Sequence, residues 1–210
     1  MVGEAAVARS LRAAGEPFGV APAAPVPLRW GALFEALDGT GDEEYVTAVE
    51  LIYEGYLYHY RSSRVALPGA DHETRLLAGD CFYARGLRLI AARGDAQAVG
   101  LLARLMAACS YLRSLGAAFA ADDALWAFTM GGLAALRRGV PAATAAALFD
   151  RLDAAFAAAA GPDVRALARA AVWGLALPWP GPLEAELAGG APAPAAPPAP
   201  AFAAPADPER

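Results

Sequence analysis

The chain has 210 residues, 57% of them hydrophobic, with a net charge of −5 and a pI near 5.1. That length supports one domain with a sizeable core. The acidic balance, with no basic run and no interleaving of basic and aromatic residues, excludes the usual nucleic-acid-binding surface. All 17 basic residues are arginine, and there is no lysine. Alanine, the best helix former, dominates while valine, isoleucine and threonine are scarce, which predicts an all-α protein. The mean hydropathy of +0.34 is high, yet no uninterrupted apolar stretch reaches the roughly 18–20 residues of a membrane-spanning helix. Glu4, Arg9 and Arg12 fall where a leader peptide would be apolar, so a cytoplasmic chain with no transmembrane segment is expected. Cys81 and Cys109 lack metal-ligand spacing and read as buried free thiols in a reducing compartment.

In chain order, residues 4–14 predict a short helix, and Pro17, Gly19, Pro22, Pro25 and Pro27 then interrupt the chain. A second helix is expected from Trp30 to about Leu37, closed by Asp38 and Gly39. Asp42, or the glycine before it, starts a long helix over about 43–63, whose Val46, Val49, Ile52, Tyr53, Tyr56 and Tyr60 keep helical spacing. After a loop at Pro68–Gly69 and Asp71, a helix is expected over about 72–92. Asp95 should cap the next helix, over about 96–115. Asp122 or Asp123 should cap another that runs to Leu136. Two further helices are expected over about 141–160 and 163–177. Residues 1–177 thus read as a bundle of about seven or eight helices. Residues 178–210 are rich in proline and alanine and read as a disordered tail. Gly79 and Gly86 sit mid-helix, at a cost of roughly 1 kcal/mol each against alanine, which implies close packing or a bend there.

Few residues suggest chemistry by themselves. Asp122–Asp123 is the one adjacent aspartate pair, but a third acid at DDxxD spacing would fall on Trp126. Glu43 and Glu44 suit a helix dipole. His59 and His72 have no partner at ligand spacing. Asp80 is expected to accept a hydrogen bond within the bundle, from Arg85 or a facing tyrosine. Tyr45, Tyr53, Tyr56, Tyr58 and Tyr60 crowd one helix and cannot all point inward. The face with Tyr53, Tyr56 and Tyr60 is a candidate interface.

The segment Arg75-Leu76-Leu77-Ala78-Gly79-Asp80 resembles the LAGD helix of the trans-polyprenyl diphosphate synthases, and Leu77, Ala78, Gly79 and Asp80 carry the signature. Ala48-Val49-Glu50-Leu51-Ile52 and Leu57-Tyr58-His59 resemble the family's approach to its first aspartate-rich motif. Gly94-Asp95 and Leu101-Leu102-Ala103 continue the pattern. Residues 143–149 are a weaker echo of a lysine-bearing segment, with Ala143 in the lysine's place. The match covers a little over a quarter of the chain. It implies an isoprenoid-synthase-like helical bundle in which two acidic motifs hold Mg²⁺ and an allylic diphosphate.

The departures carry the functional expectation. Tyr60, Arg61 and Arg64 stand where the family has aspartates, and residues 171–177 hold no acid where a second motif belongs. The resemblance therefore points to the noncatalytic small subunits of heterodimeric heptaprenyl diphosphate synthases. It implies no catalytic residue, cofactor or metal site in this chain, Mg²⁺ in a DDxxD-bearing catalytic large subunit, and a role in chain elongation, commonly for menaquinone side chains. The alternatives are a stand-alone module that binds a prenyl chain, and a divergent prenyltransferase active by itself.

Overall fold

The computed structural model describes residues 4–19, 26–116, 119–139 and the single residue 150. These form six α-helices and one 3₁₀ turn, and no strand occurs among them. The helices are α1 (Glu4–Gly15), α2 (Trp30–Asp38), α3 (Glu43–Tyr60), α4 (His72–Ala91), α5 (Ala96–Ser114) and α6 (Phe119–Arg137), with the 3₁₀ turn at Glu16–Phe18. The all-α expectation holds. The expected helices at 141–160 and 163–177, and the Pro/Ala-rich tail, lie outside the described residues.

Three starts follow the capping rule. Asp42 accepts from Tyr45 N at 3.3 Å, Asp71 from Thr74 N at 2.8 Å and Asp95 from Ala98 N at 2.9 Å. Each carboxylate satisfies an amide that its own helix leaves unpaired. Helix α2 has no such local cap. Its first amides are satisfied from another helix, as described below.

Helix α3 is the axis of the fold. Every residue from Tyr45 to Tyr58 is buried, because α1, α2, α4 and α6 surround it. It ends at Tyr60, three residues before the expected boundary: Arg61 turns into extended backbone while its amide still bonds Leu57 O at 2.9 Å. Arg61 and Arg64 consequently lie in the loop beyond the helix.

Helix α4 runs antiparallel to α3 in near backbone contact, and glycine makes this approach feasible. A Cβ on Gly86 would lie 2.6 Å from Ile52 Cγ1 and 2.7 Å from Ala48 O. On Gly79 it would lie 2.7 Å from the His59 ring and 3.2 Å from Gly55 O. The two mid-helix glycines thus mark close packing, and the gain in dispersion contacts offsets their propensity cost.

An aromatic cluster fills the space among α2, α3 and α6. Trp30 stacks on Trp126 at 5.9 Å between ring centroids, and Tyr53 meets Trp126 edge-on at 5.2 Å. Tyr53 also stacks on Tyr56 at 6.0 Å. Offset-stacked and edge-to-face pairs of this kind add to the burial term.

Candidate functional site

Tyr60, Arg61 and Arg64, the positions where the resembled family has aspartates, lie at the C-terminal end of α3 and in the loop that follows it, whereas residues 143–149 and 171–177 lie outside the described residues. Glu50 and Glu54 are one helical turn apart on α3, and both side chains are fully buried. Two carboxylates inside a core need a counter-charge. Arg64 supplies it from the α3–α4 loop. Its Nε donates to Glu54 Oε2 at 2.8 Å, one Nη1 bond goes to Glu50 Oε2, and Nη1 also reaches Pro27 O at 3.0 Å. Burial disfavours the guanidinium charge, but the two carboxylates outweigh burial and push the Arg64 pKa up. Burial pushes the Glu54 pKa up, against the pull of Arg64 and of the amides of Arg64 and Val65.

Glu50 does a second task with its other oxygen. Oε1 accepts from Arg29 N at 2.8 Å and Gly31 N at 2.7 Å. It therefore caps α2 across the interior, in place of the missing local cap. Glu50 entered the sequence reading only within the segment 48–52, and Glu54 not at all. The available signal was two acids four apart inside an otherwise apolar helix, a pattern that requires a buried partner.

Arg61 lies beside this network. Its Nη1 is 3.6 Å from Asp123 Oδ1, and its guanidinium sits 4.3 Å over the Phe119 ring. Arg29 Nη2 approaches the same Asp123 oxygen at 3.9 Å. Tyr60 is half-buried and packs against Tyr56 at 5.4 Å. Tyr60, Arg61 and Arg64 are thus engaged with aromatic rings and with the chain's own acids.

Asp122 and Asp123 correct the capping expectation. Helix α6 is already formed at Phe119, three residues before Asp122. Asp122 is buried and accepts from the Tyr56 hydroxyl and from Arg113 Nη2 at 3.0 Å, so it ties α3, α5 and α6 together. Burial raises the Asp122 pKa to about 6, against the pull of Tyr56 and Arg113. Burial also drives the Tyr56 and Cys109 pKa values up. Cys109 is a buried free thiol, whereas Cys81 is only half-buried.

The LAGD signature divides along α4. Ala78 and Gly79 are buried against α3, while Leu77 and Asp80 face outward. Asp80 pairs with neither Arg85 nor a tyrosine. Its Oδ1 lies 3.1 Å from His59 Nε2, and Arg85 donates instead to Ala13 O at 2.7 Å. The His59 ring stacks on Tyr83 at 5.2 Å, and burial lowers its pKa despite Asp80. The sequence could not show this pairing, because it depends on how far α3 and α4 slide past each other.

The tyrosine face also resolves. Tyr53 and Tyr56 lie within the core, at 5% and 1% exposure. Of the three residues on the candidate interface face, only Tyr60 reaches the half-buried fringe. An interface at this end of α3 would use Tyr60 and not the two inner rings. Among the described residues, no group of three His, Cys, Asp or Glu side chains is placed to hold a metal ion, and no helix is long and apolar enough to cross a membrane. No family model, curated protein or solved structure matches this chain.

Proposed function

We propose that this chain is a noncatalytic subunit of a polyprenyl diphosphate synthase, paired with a DDxxD-bearing catalytic subunit in isoprenoid biosynthesis. The observation that carries the reading is the position of Arg64. It stands where the resembled enzymes have the last aspartate of their first motif, and its guanidinium is held by Glu50 and Glu54. A cation belonging to the chain lies where an acid would otherwise present oxygen to Mg²⁺, and it would repel a divalent ion. The close packing of α4 on α3 at Gly79 and Gly86 supports reading the LAGD segment as scaffold. Mg²⁺ and the diphosphate chemistry are assigned to the partner. Cytoplasmic location and a menaquinone side-chain product belong to the same proposal.

The stand-alone prenyl-binding alternative is less favoured. Trp30, Tyr53 and Trp126 fill the space among α2, α3 and α6, which argues against a prenyl chain lying there. Co-expression with a synthase homologue encoded by an adjacent reading frame tests the reading. The expected result is a stable heterodimer whose polyprenyl product is longer than that of the catalytic subunit by itself. Failure to associate, or an unchanged product, overturns it.

A further inference from the structure

Helix α1 is seated on α3 and α4. Val7, Ala8, Leu11 and Ala14 face inward and are buried. Their spacing is that of an amphipathic helix laid in a groove. The charged residues of α1 take no part in the seat. Glu4 and Arg9 are exposed, and Glu4, Arg9 and Arg12 make no ion pair among the described residues.

The polar anchors lie at one end. Arg85 Nη1 donates to Ala13 O at 2.7 Å, and Cys81 Sγ lies 3.9 Å from Ala14 O. Cys81 and Arg85 are one turn apart on α4. The carbonyls they meet are among those that a helix end leaves unpaired, and a cation suits that pole of the helix. The seat thus recognises a short apolar stripe and a helix C-terminus, and it ignores the charges on the outer face.

A helix held this way is easily released. Two of its four inward side chains are alanine. Isolated helices as short as α1 are marginal in water, so α1 is helical because it is docked. Pro17 and Gly19, with Pro22, Pro25 and Pro27 beyond them, keep α1 from running on into α2. Undocking α1 therefore strains no neighbouring helix.

We infer that the seat on α3 and α4 is a docking site for an amphipathic helix, filled by α1 of the same molecule and open to exchange with α1 of a second copy. The second copy's helix offers the same stripe and the same C-terminal carbonyls, so every contact is reproduced, as in domain swapping. The seat is independent of the subunit role. A chain that pairs with a synthase subunit but never releases α1 would overturn the exchange and leave that reading standing.

A fluorescent peptide of residues 4–15, titrated into the full-length protein and read by anisotropy, tests the seat. Leu11→Asp expels α1 and should bind the peptide about tenfold or more tightly than wild type, which keeps a tethered competitor at roughly millimolar effective concentration. Adding Arg85→Ala to Leu11→Asp should weaken that binding by removing the C-terminal anchor. Amide exchange in wild type should be faster over residues 4–15 than over α3. Refolding concentrated wild type from urea should trap a dimer, seen by light scattering, that Leu11→Asp does not form. Equal protection of α1 and α3, no peptide bound by Leu11→Asp, loss of helical circular dichroism in that variant, binding indifferent to Arg85→Ala, or wild type that refolds only to monomer would each overturn the exchange.

Discussion

Arg64 Nε donates to Glu54 Oε2 at 2.8 Å, so a loop residue ten positions later folds back onto the helix that the chain has just left. Because Arg64 also holds Glu50, its removal strands two fully buried carboxylates. Arg64→Met is therefore expected to cost about 3–5 kcal/mol. Urea unfolding monitored by circular dichroism measures this. The triple variant Glu50→Gln, Glu54→Gln, Arg64→Met should recover most of the loss, since the glutamines keep an acceptor for α2 and remove the charge. A triple variant no more stable than Arg64→Met would show that the arginine matters for something other than charge.

Gly86→Ala should destabilise the protein although alanine is the better helix former. The new methyl group would meet the Ala48 carbonyl at 2.7 Å and Ile52 Cγ1 at 2.6 Å, and a backbone carbonyl cannot yield without moving α3. About 1–3 kcal/mol is expected, as for other overpacked cores. Gly79→Ala should cost less, because its closest neighbour is the His59 ring, which can rotate. Thermal unfolding of the two variants side by side gives the order, and a reversed order would refute the packing account.

Two buried groups give stability opposite dependences on pH. His59 has its folded-state pKa lowered from 6.5 by burial. The unfolded chain binds the proton more readily, so this contribution is present above about pH 6.5 and is lost as the pH falls below it. Asp122 has its pKa raised from 3.8 to about 6. Its contribution is fully present below about pH 4 and is lost as the pH rises through 6, on the order of 3 kcal/mol across the window. His59→Gln should leave a stability that falls as pH rises between 5 and 6. Asp122→Asn should make the stability rise more, or fall less, with pH than in the wild type, with Glu54, whose pKa burial also raises, still opposing His59. Unfolding free energies measured from pH 4.5 to 7.5 check both slopes.

Asp95 serves two helices at once. Oδ1 caps α5 through Ala98 N, and Oδ2 accepts from the Tyr45 hydroxyl at 2.5 Å. Tyr45→Phe should cost about 1 kcal/mol and Asp95→Ala about 2 kcal/mol. The double variant should cost less than the two single changes combined, because both remove the same bond. A double-mutant cycle in urea measures the coupling, and strict additivity would show that the bond contributes nothing.

Much of the fold was legible along the chain. Caps at Asp42, Asp71 and Asp95 mark helix starts by local chemistry, and that information is complete within four residues. The α3 boundary was misplaced because Arg61, Ser62 and Ser63 can continue a helix; Arg64 instead turns back to reach Glu50 and Glu54. The start of α6 was misplaced for a related reason. An aspartate pair suits a cap, but Asp122 is taken by Tyr56, 66 residues away in sequence. Tyr60, Arg61 and Arg64 lie at one end of α3, but their partners were not foreseeable. Ion pairs between helices depend on the angle and offset of packing, which no local pattern records.

Glu50 joins residues distant in sequence in a way that bears on how the chain folds. Its carboxylate has no compensation until both the α2 amides and Arg64 arrive. Burying it with only one of them in place would leave either a bare charge or an uncapped helix. Residues 29–64 should therefore form and open as one cooperative unit, with α2 unable to detach separately from the α3–α4 loop. Amide exchange at Gly31 and Val65 should report the same opening free energy, although one lies before α3 and the other after it.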